Sequence, residues 1–230
     1  MPLILLLLLG MTAQAPAEKQ LVFTITAKDL SGGLVSEVTW DGGTLMVQGV
    51  FAQPGGALEA KYFVKAADTM TVEPRPSQSE ASLKYWAMKS SRVSPTGLGR
   101  LSISTDTKLP QYGIGSQDRR FQDSVDMGGT ISTHVVRLGT LELMERKGPA
   151  APYDGEVWSW SPPELNMIAY VDGKGDLWVA GADGRNARRI LQGNFLLPAW
   201  SDDGRMIAVA ERKKDKWEVS VVHLPEGLRK

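Results

Sequence analysis

Cysteine is absent from all 230 residues. Disulfides, thiolate chemistry, Cys-ligated zinc, iron–sulfur clusters and a lipid-modified cysteine anchor are excluded at once. Histidine occurs only twice, as His134 and His223. Each sits in a predicted strand with no second histidine or carboxylate at ligand spacing, so both are expected to be ordinary strand residues facing solvent. No charge sign dominates, because Lys+Arg and Asp+Glu are both 26. A global field that would favour nucleic acid or an anionic surface is therefore missing. Long apolar runs are missing too, apart from one at the N-terminus. Aromatic residues are few, yet five of the seven tryptophans fall between Trp158 and Trp217.

The one apolar run is Leu3 to Leu9, followed by Gly10 and the small-residue stretch Thr12-Ala13-Gln14-Ala15-Pro16-Ala17. Residues 1–17 read as an export leader, and Ala13-Gln14-Ala15 has the small-x-small form of a signal-peptidase site. About ten apolar residues make a helix of ~15 Å, half of a ~30 Å hydrocarbon core, so the run does not span a bilayer. The expectation is export to the bacterial periplasm or cell surface. If the leader is retained, residues 1–11 would touch the membrane.

Residues 20–106 show short alternating strands with turns between them and no helical periodicity. Leu21–Thr26, Thr44–Phe51, Leu58–Val64, Thr69–Val72, Leu83–Met88 and Leu101–Ser104 are the candidates. Strands at this spacing predict a β-sandwich. The segments Thr44-Leu45-Met46-Val47-Gln48-Gly49-Val50-Phe51, Thr69-Met70-Thr71-Val72 and Tyr85-Trp86-Ala87, with the corner Pro95-Thr96-Gly97, resemble secreted immunoglobulin-like or fibronectin type III-like sandwiches. Residues 107–152 read as an irregular linker carrying one hairpin, Ile131–Val136 with Leu138–Leu143.

Residues 153–230 repeat themselves. Trp160-Ser161-Pro162-Pro163-Glu164-Leu165-Asn166-Met167-Ile168-Ala169-Tyr170 returns as Trp200-Ser201-Asp202-Asp203-Gly204-Arg205-Met206-Ile207-Ala208-Val209. Asp176-Leu177-Trp178-Val179 returns as Lys216-Trp217-Glu218-Val219. The period is 39–40 residues, with one residue inserted before Asn166. Short apolar runs between Gly/Asp turns at this period mark a propeller blade, one small antiparallel sheet per repeat. Trp160 and Trp200 are expected in equivalent places, as are Trp178 and Trp217. Trp40-Asp41-Gly42-Gly43 stands three periods before Trp160, but nothing comparable occupies positions 80 or 120, and the phase match is read as coincidence.

The Trp200–Val209 segment, with Leu177-Trp178-Val179-Ala180-Gly181-Ala182-Asp183-Gly184-Arg185-Asn186-Ala187-Arg188-Arg189-Ile190, resembles the repeats of TolB-type β-propellers. In those repeats a Trp-Ser-Pro-Asp-Gly turn leads into one strand, a second strand ends in Asp-Gly, and an outer strand reads Ala-Arg-Arg-Leu. The resemblance implies a propeller fold and a habit of binding other proteins; it implies no reaction. The fold expected is all-β, a sandwich followed by a truncated module of about two blades. The alternative is a closed small propeller of four or five blades. Two blades would leave both outer faces bare, and the second repeat lacks an outer strand. One face is expected to be covered from within the chain and the other by a partner protein.

Catalytic and metal patterns fail on missing parts. Ser116 lies beside Gly113 and Gly115 without the Gly-x-Ser-x-Gly elbow. Asp172, Asp176 and Asp183 alternate with glycines, but position 174 carries no acid and no terminal glutamate follows, so hairpin turns explain them without calcium. No enzyme activity, cofactor, metal or nucleic-acid partner is expected. Two basic clusters remain, Arg185, Arg188 and Arg189, and Arg212, Lys213, Lys214 and Lys216. They are either a docking patch or charged edges that discourage strand pairing. The functional expectation is an exported, non-catalytic docking or scaffold subunit on a membrane complex, with a small-ligand or glycan sensor as the alternative.

Overall fold

The structure is a computed structural model and describes residues 17–53, 58–66, 69–73, 93–107, 132–148 and 157–228. It is all-β, with the strands in four small sheets, none of them closed into a barrel. β1 (Glu18–Thr26), β2 (Leu34–Asp41), β3 (Thr44–Ala52), β4 (Leu58–Ala66) and β5 (Thr69–Glu73) come first. β6 (Leu101–Thr107), β7 (Ser132–Leu138) and β8 (Leu141–Gly148) follow. The repeat supplies β9 (Trp158–Trp160), β10 (Met167–Val171), β11 (Leu177–Gly181), β12 (Arg188–Leu191), β13 (Phe195–Trp200), β14 (Met206–Arg212) and β15 (Lys216–His223). A single 3-10 turn, Glu226–Leu228, ends the described chain. The expected leader, the candidate strand Leu83–Met88 and the loop with Ser116 lie outside the described residues.

Each repeat makes one antiparallel sheet. The orders are β2-β3-β4-β5, β6-β7-β8, β12-β11-β10-β9 and β1-β15-β14-β13. The last of these takes its outer strand from the start of the chain. Glu18 pairs with His223 and Thr26 with Lys216, so β1 completes the sheet in which the second repeat was expected to lack a strand. Leu21–Thr26 therefore crosses the expected boundary between the N-terminal and C-terminal units. β1 has high β propensity and two inward residues, Phe23 and Ile25, that bury in the core only when it pairs there.

The sheets stack face to face in series. Leu101, Leu138 and Leu143 of β6–β8 pack on Trp158, Trp160, Ile168 and Tyr170. The other face of that second sheet presents Ala169, Val171, Leu177 and Val179 to Phe195, Trp200, Ile207 and Val209 of the closing sheet. That sheet in turn lays Ala199, Ala208, Ala210, Val219 and Val221 against Val38, Trp40, Leu45, Val47 and Phe63. Both faces of β10 and of β14 as far as Ala210 are thus buried, which is why Met167–Val171 and Met206–Ala210 are apolar throughout instead of alternating. The expectation that a partner must cover one face of the repeat module does not hold. The hairpin β7–β8 covers one side, and the β2–β5 sheet covers the other.

Register tests the repeat residue by residue. Trp160 pairs with Ile168 and Trp200 with Ile207, so these tryptophans are equivalent and both are fully buried. Trp40 pairs with Leu45 at the same place on β2, and each of the three faces the preceding sheet in the series. Trp40 therefore holds the equivalent strand position, although among the described residues the chain passes through two sheets, not three, between Trp40 and Trp160. Trp178 and Trp217 are not equivalent, contrary to expectation. Ile168 pairs with Ala180 but Ile207 with Val222, which makes the second hairpin three residues longer between matching pairs. An odd offset turns a strand residue to the other face. Trp178 accordingly stacks on Tyr170 towards β6–β8, while Trp217 joins the core against β2–β5.

A bulge between Leu196 and Ala199 lets one strand serve two cores. Leu197 adopts φ +55° there, so Phe195 and Trp200, five residues apart, share one face while Leu197 and Ala199 take the other.

Candidate functional site

The turn after each repeat tryptophan is built by its serine. The Ser161 hydroxyl accepts from the Met167 amide at 2.9 Å, and the Ser201 hydroxyl accepts from the Met206 amide at 3.0 Å. The two serine amides donate back to the same methionine carbonyls at 3.0 and 2.9 Å. Gly204 (φ +69°) supplies the left-handed residue of the second turn, while in the longer first turn Asn166 (φ +49°) takes that conformation. Neighbouring turns touch across sheets. The Gly42 amide donates to the Asp202 carboxylate at 2.6 Å, and Thr96 bonds the Asn166 side chain.

The aspartates weighed for calcium are occupied by local bonds. Asp172 accepts the amides of Lys174 and Asp176 and, on its other oxygen, the Trp178 indole at 2.9 Å. Asp176 is buried and accepts the Gly193 amide at 3.0 Å and the Arg189 guanidinium at 3.2 Å. Asp183 accepts the Arg185 amide at 2.9 Å. Among the described residues no group of three or more His, Asp or Glu side chains is placed to hold a metal ion. Tyr170, between the first and second sheets of the series, has its phenol pushed up to about 12 by burial, with Asp172 adding to the effect. It stays neutral at any ordinary pH.

The two basic clusters lie on different sheets. Arg188 and Arg189 are exposed on β12, the four-residue outer edge of its sheet, and Arg185 stands on the preceding turn, 3.8 Å from Asp183. Arg212, Lys213 and Lys214 are exposed around the β14–β15 tip, and Lys216 is half-buried. The sequence reading missed the carboxylates set among them. Glu211 and Glu218 sit directly opposite each other on β14 and β15. Lys213 bonds Glu211 at 3.0 Å, Lys216 bonds Glu218 at 2.6 Å, and Arg212 lies over the Trp217 ring. Lys19 reaches in from β1 to Glu211 at 2.9 Å. The signal was present as Glu211-x-Lys213 and Lys216-x-Glu218, since residues two apart share a strand face.

His223 is exposed at the end of β15, as a solvent-facing strand residue should be. His134 pairs within β7 opposite Thr105 and Arg146. Ser116 lies outside the described residues.

The chain matches no protein-family model and no curated protein. No helix among the described residues is long and apolar enough to cross a membrane.

Proposed function

We propose that this chain is a small TolB-like propeller that serves as a non-catalytic docking subunit, exported and positioned on the outer face of a membrane complex. One observation carries the docking reading. Arg188 and Arg189 are exposed on an outer sheet edge whose partner strand is already satisfied on the inner side. Positive charge there blocks indiscriminate strand pairing, and, with Arg189 held by Asp176 and Arg185 beside Asp183, the edge still presents exposed positive charge that carboxylates of a chosen partner can meet. The β14–β15 tip contributes less, because Glu211 and Glu218 offset its lysines.

A second reading has its own support. Pairing of β1 with β15 joins the start of the chain to its last sheet. Such closure is how propeller rings are completed, and a ring leaves a central mouth suited to a small ligand or glycan. Gentle detergent extraction from the native cell separates the readings. A defined partner should co-purify with the wild type and be lost from the R185E/R188E/R189E variant. Recovery of the same monomeric species from both would remove the docking reading and leave the ligand reading standing.

A further inference from the structure

Two overlapping tripeptides ahead of β1 have the small-x-small form, Ala13-Gln14-Ala15 and Ala15-Pro16-Ala17. They place the cleaved bond at Ala15–Pro16 or at Ala17–Glu18. Bond chemistry separates them. The nitrogen of Ala15–Pro16 carries the pyrrolidine ring and no hydrogen, and the ring restricts the residue before it. A protease that holds its substrate as an extended strand, through main-chain hydrogen bonds, loses a donor and meets that ring beside the scissile carbonyl. Ala17–Glu18 is an ordinary secondary amide, with the proline set one residue back.

The fold supplies the other limit. Glu18 is the first residue of the β1–β15 ladder, paired with His223, and Lys19 and Gln20 follow opposite Val222 and Val221. Lys19 also holds Glu211 across the sheet. A cut beyond Glu18 would remove part of the strand that completes the closing sheet. Ala17 stands just outside the ladder, half-buried against the neighbouring core.

We propose that the leader is removed by hydrolysis of the Ala17–Glu18 bond, so that the mature chain begins on the first residue of β1. This rests on the export reading above. Water adds across the amide: hydroxide joins the Ala17 carbonyl carbon to give a carboxylate, and the proton goes to the Glu18 nitrogen as it leaves. The enzyme implied is an endopeptidase at the export membrane that requires small residues in the first and third positions before the cut.

The test is intact-mass measurement and N-terminal sequencing of the full-length chain expressed with its own leader in a secreting bacterial host. The exported protein should begin at Glu18. A17L should abolish the mature species, whereas A13L should be processed like the wild type. A mature chain with any other N-terminus, or a block by A13L, overturns the site while leaving export intact. An unprocessed chain retained in the cytosol overturns the site and the export reading together.

Discussion

The indole Nε1 of Trp40 donates to the carbonyl oxygen of Ala199 at 3.1 Å, across the interface between the β2–β5 sheet and the closing sheet. Both groups are buried, so the bond ties together residues from opposite ends of the sequence where water cannot substitute. The equivalent Trp200 has no acceptor for its indole among the described residues. W40F deletes packing volume and one buried hydrogen bond; W200F deletes volume alone. Urea unfolding should show W40F to be the costlier variant by about 0.5–1.5 kcal/mol. Equal losses would mean that the Trp40 bond contributes nothing beyond packing.

Closure by β1 makes a contrast within one strand. Ile25 is fully buried in the core shared with β2–β5, whereas Leu21 is 53% exposed on the same strand. Ile25→Ala should cost about 2–5 kcal/mol, as large-to-small changes in a core do. Leu21→Ala should stay within about 0.5 kcal/mol. A similar small effect at both sites in denaturant melts would show that β1 is not part of the cooperative unit.

The limits of the sequence reading have physical causes. The period, the Trp160/Trp200 equivalence and the antiparallel sheets of the repeat were legible because each rests on local residue patterns. The pairing of β1 with β15 was not, since a lone strand carries no mark of its distant partner. Trp178 and Trp217 misled because motif spacing counts residues while a lengthened hairpin changes the face. Trp40 was set aside because positions 80 and 120 carry no comparable turn, although Trp40 pairs with Leu45 beyond the bulge in β2. β2 itself escaped notice: Leu34–Asp41 includes Ser36, Glu37 and Thr39 among its apolar residues and passes a bulge at Val35–Glu37 that breaks alternation. At the basic tip, counting lysines and arginines concealed the two glutamates that sit between them.

Gly204 offers a test of the Trp-Ser turn. Its φ of +69° is a left-handed conformation, and a Cβ there would run into the Leu165 side chain of the neighbouring turn. Gly204→Ala should cost about 1–2 kcal/mol for the conformation alone, with the contact adding to it. Gly43→Ala is the control, since nothing lies within 4 Å of the added methyl and the backbone there is not left-handed. In thermal melts, pairing Gly204→Ala with Leu165→Ala should relieve the contact and leave the conformational part. Equal melting temperatures for the two alanine variants would exclude strain at Gly204.

Glu211 should give the closing sheet a pH signature. Burial alone would raise its carboxyl, but hydrogen bonds from Lys19 and Lys213 outweigh that and hold it below the usual carboxylate range. A carboxylate whose folded pKa is depressed stabilises the fold fully above its unfolded value and loses that contribution as pH falls through the folded value. Asp29, held down chiefly by hydrogen bonds from Thr26, acts in the same direction, as does Asp203, where the Ser201 hydroxyl and the Arg205 amide prevail over burial. Stability should therefore decline on acidification below a pH of about 4.3, the ordinary glutamate value. E211Q cannot take up that proton, so its stability should fall less steeply, by at most about 1.4 kcal/mol per pH unit. Lys19→Ala removes a hydrogen bond that favours the charged form, so it should move the folded-state Glu211 titration upward, towards the unfolded value, leaving a smaller acid-induced loss that is complete at higher pH. Because Lys19 belongs to β1 and Glu211 to β14, that shift should coincide with faster hydrogen exchange along the β1–β15 ladder. Parallel pH profiles for wild type and E211Q in chemical denaturation would show that this ion pair takes no part in holding β1 in place.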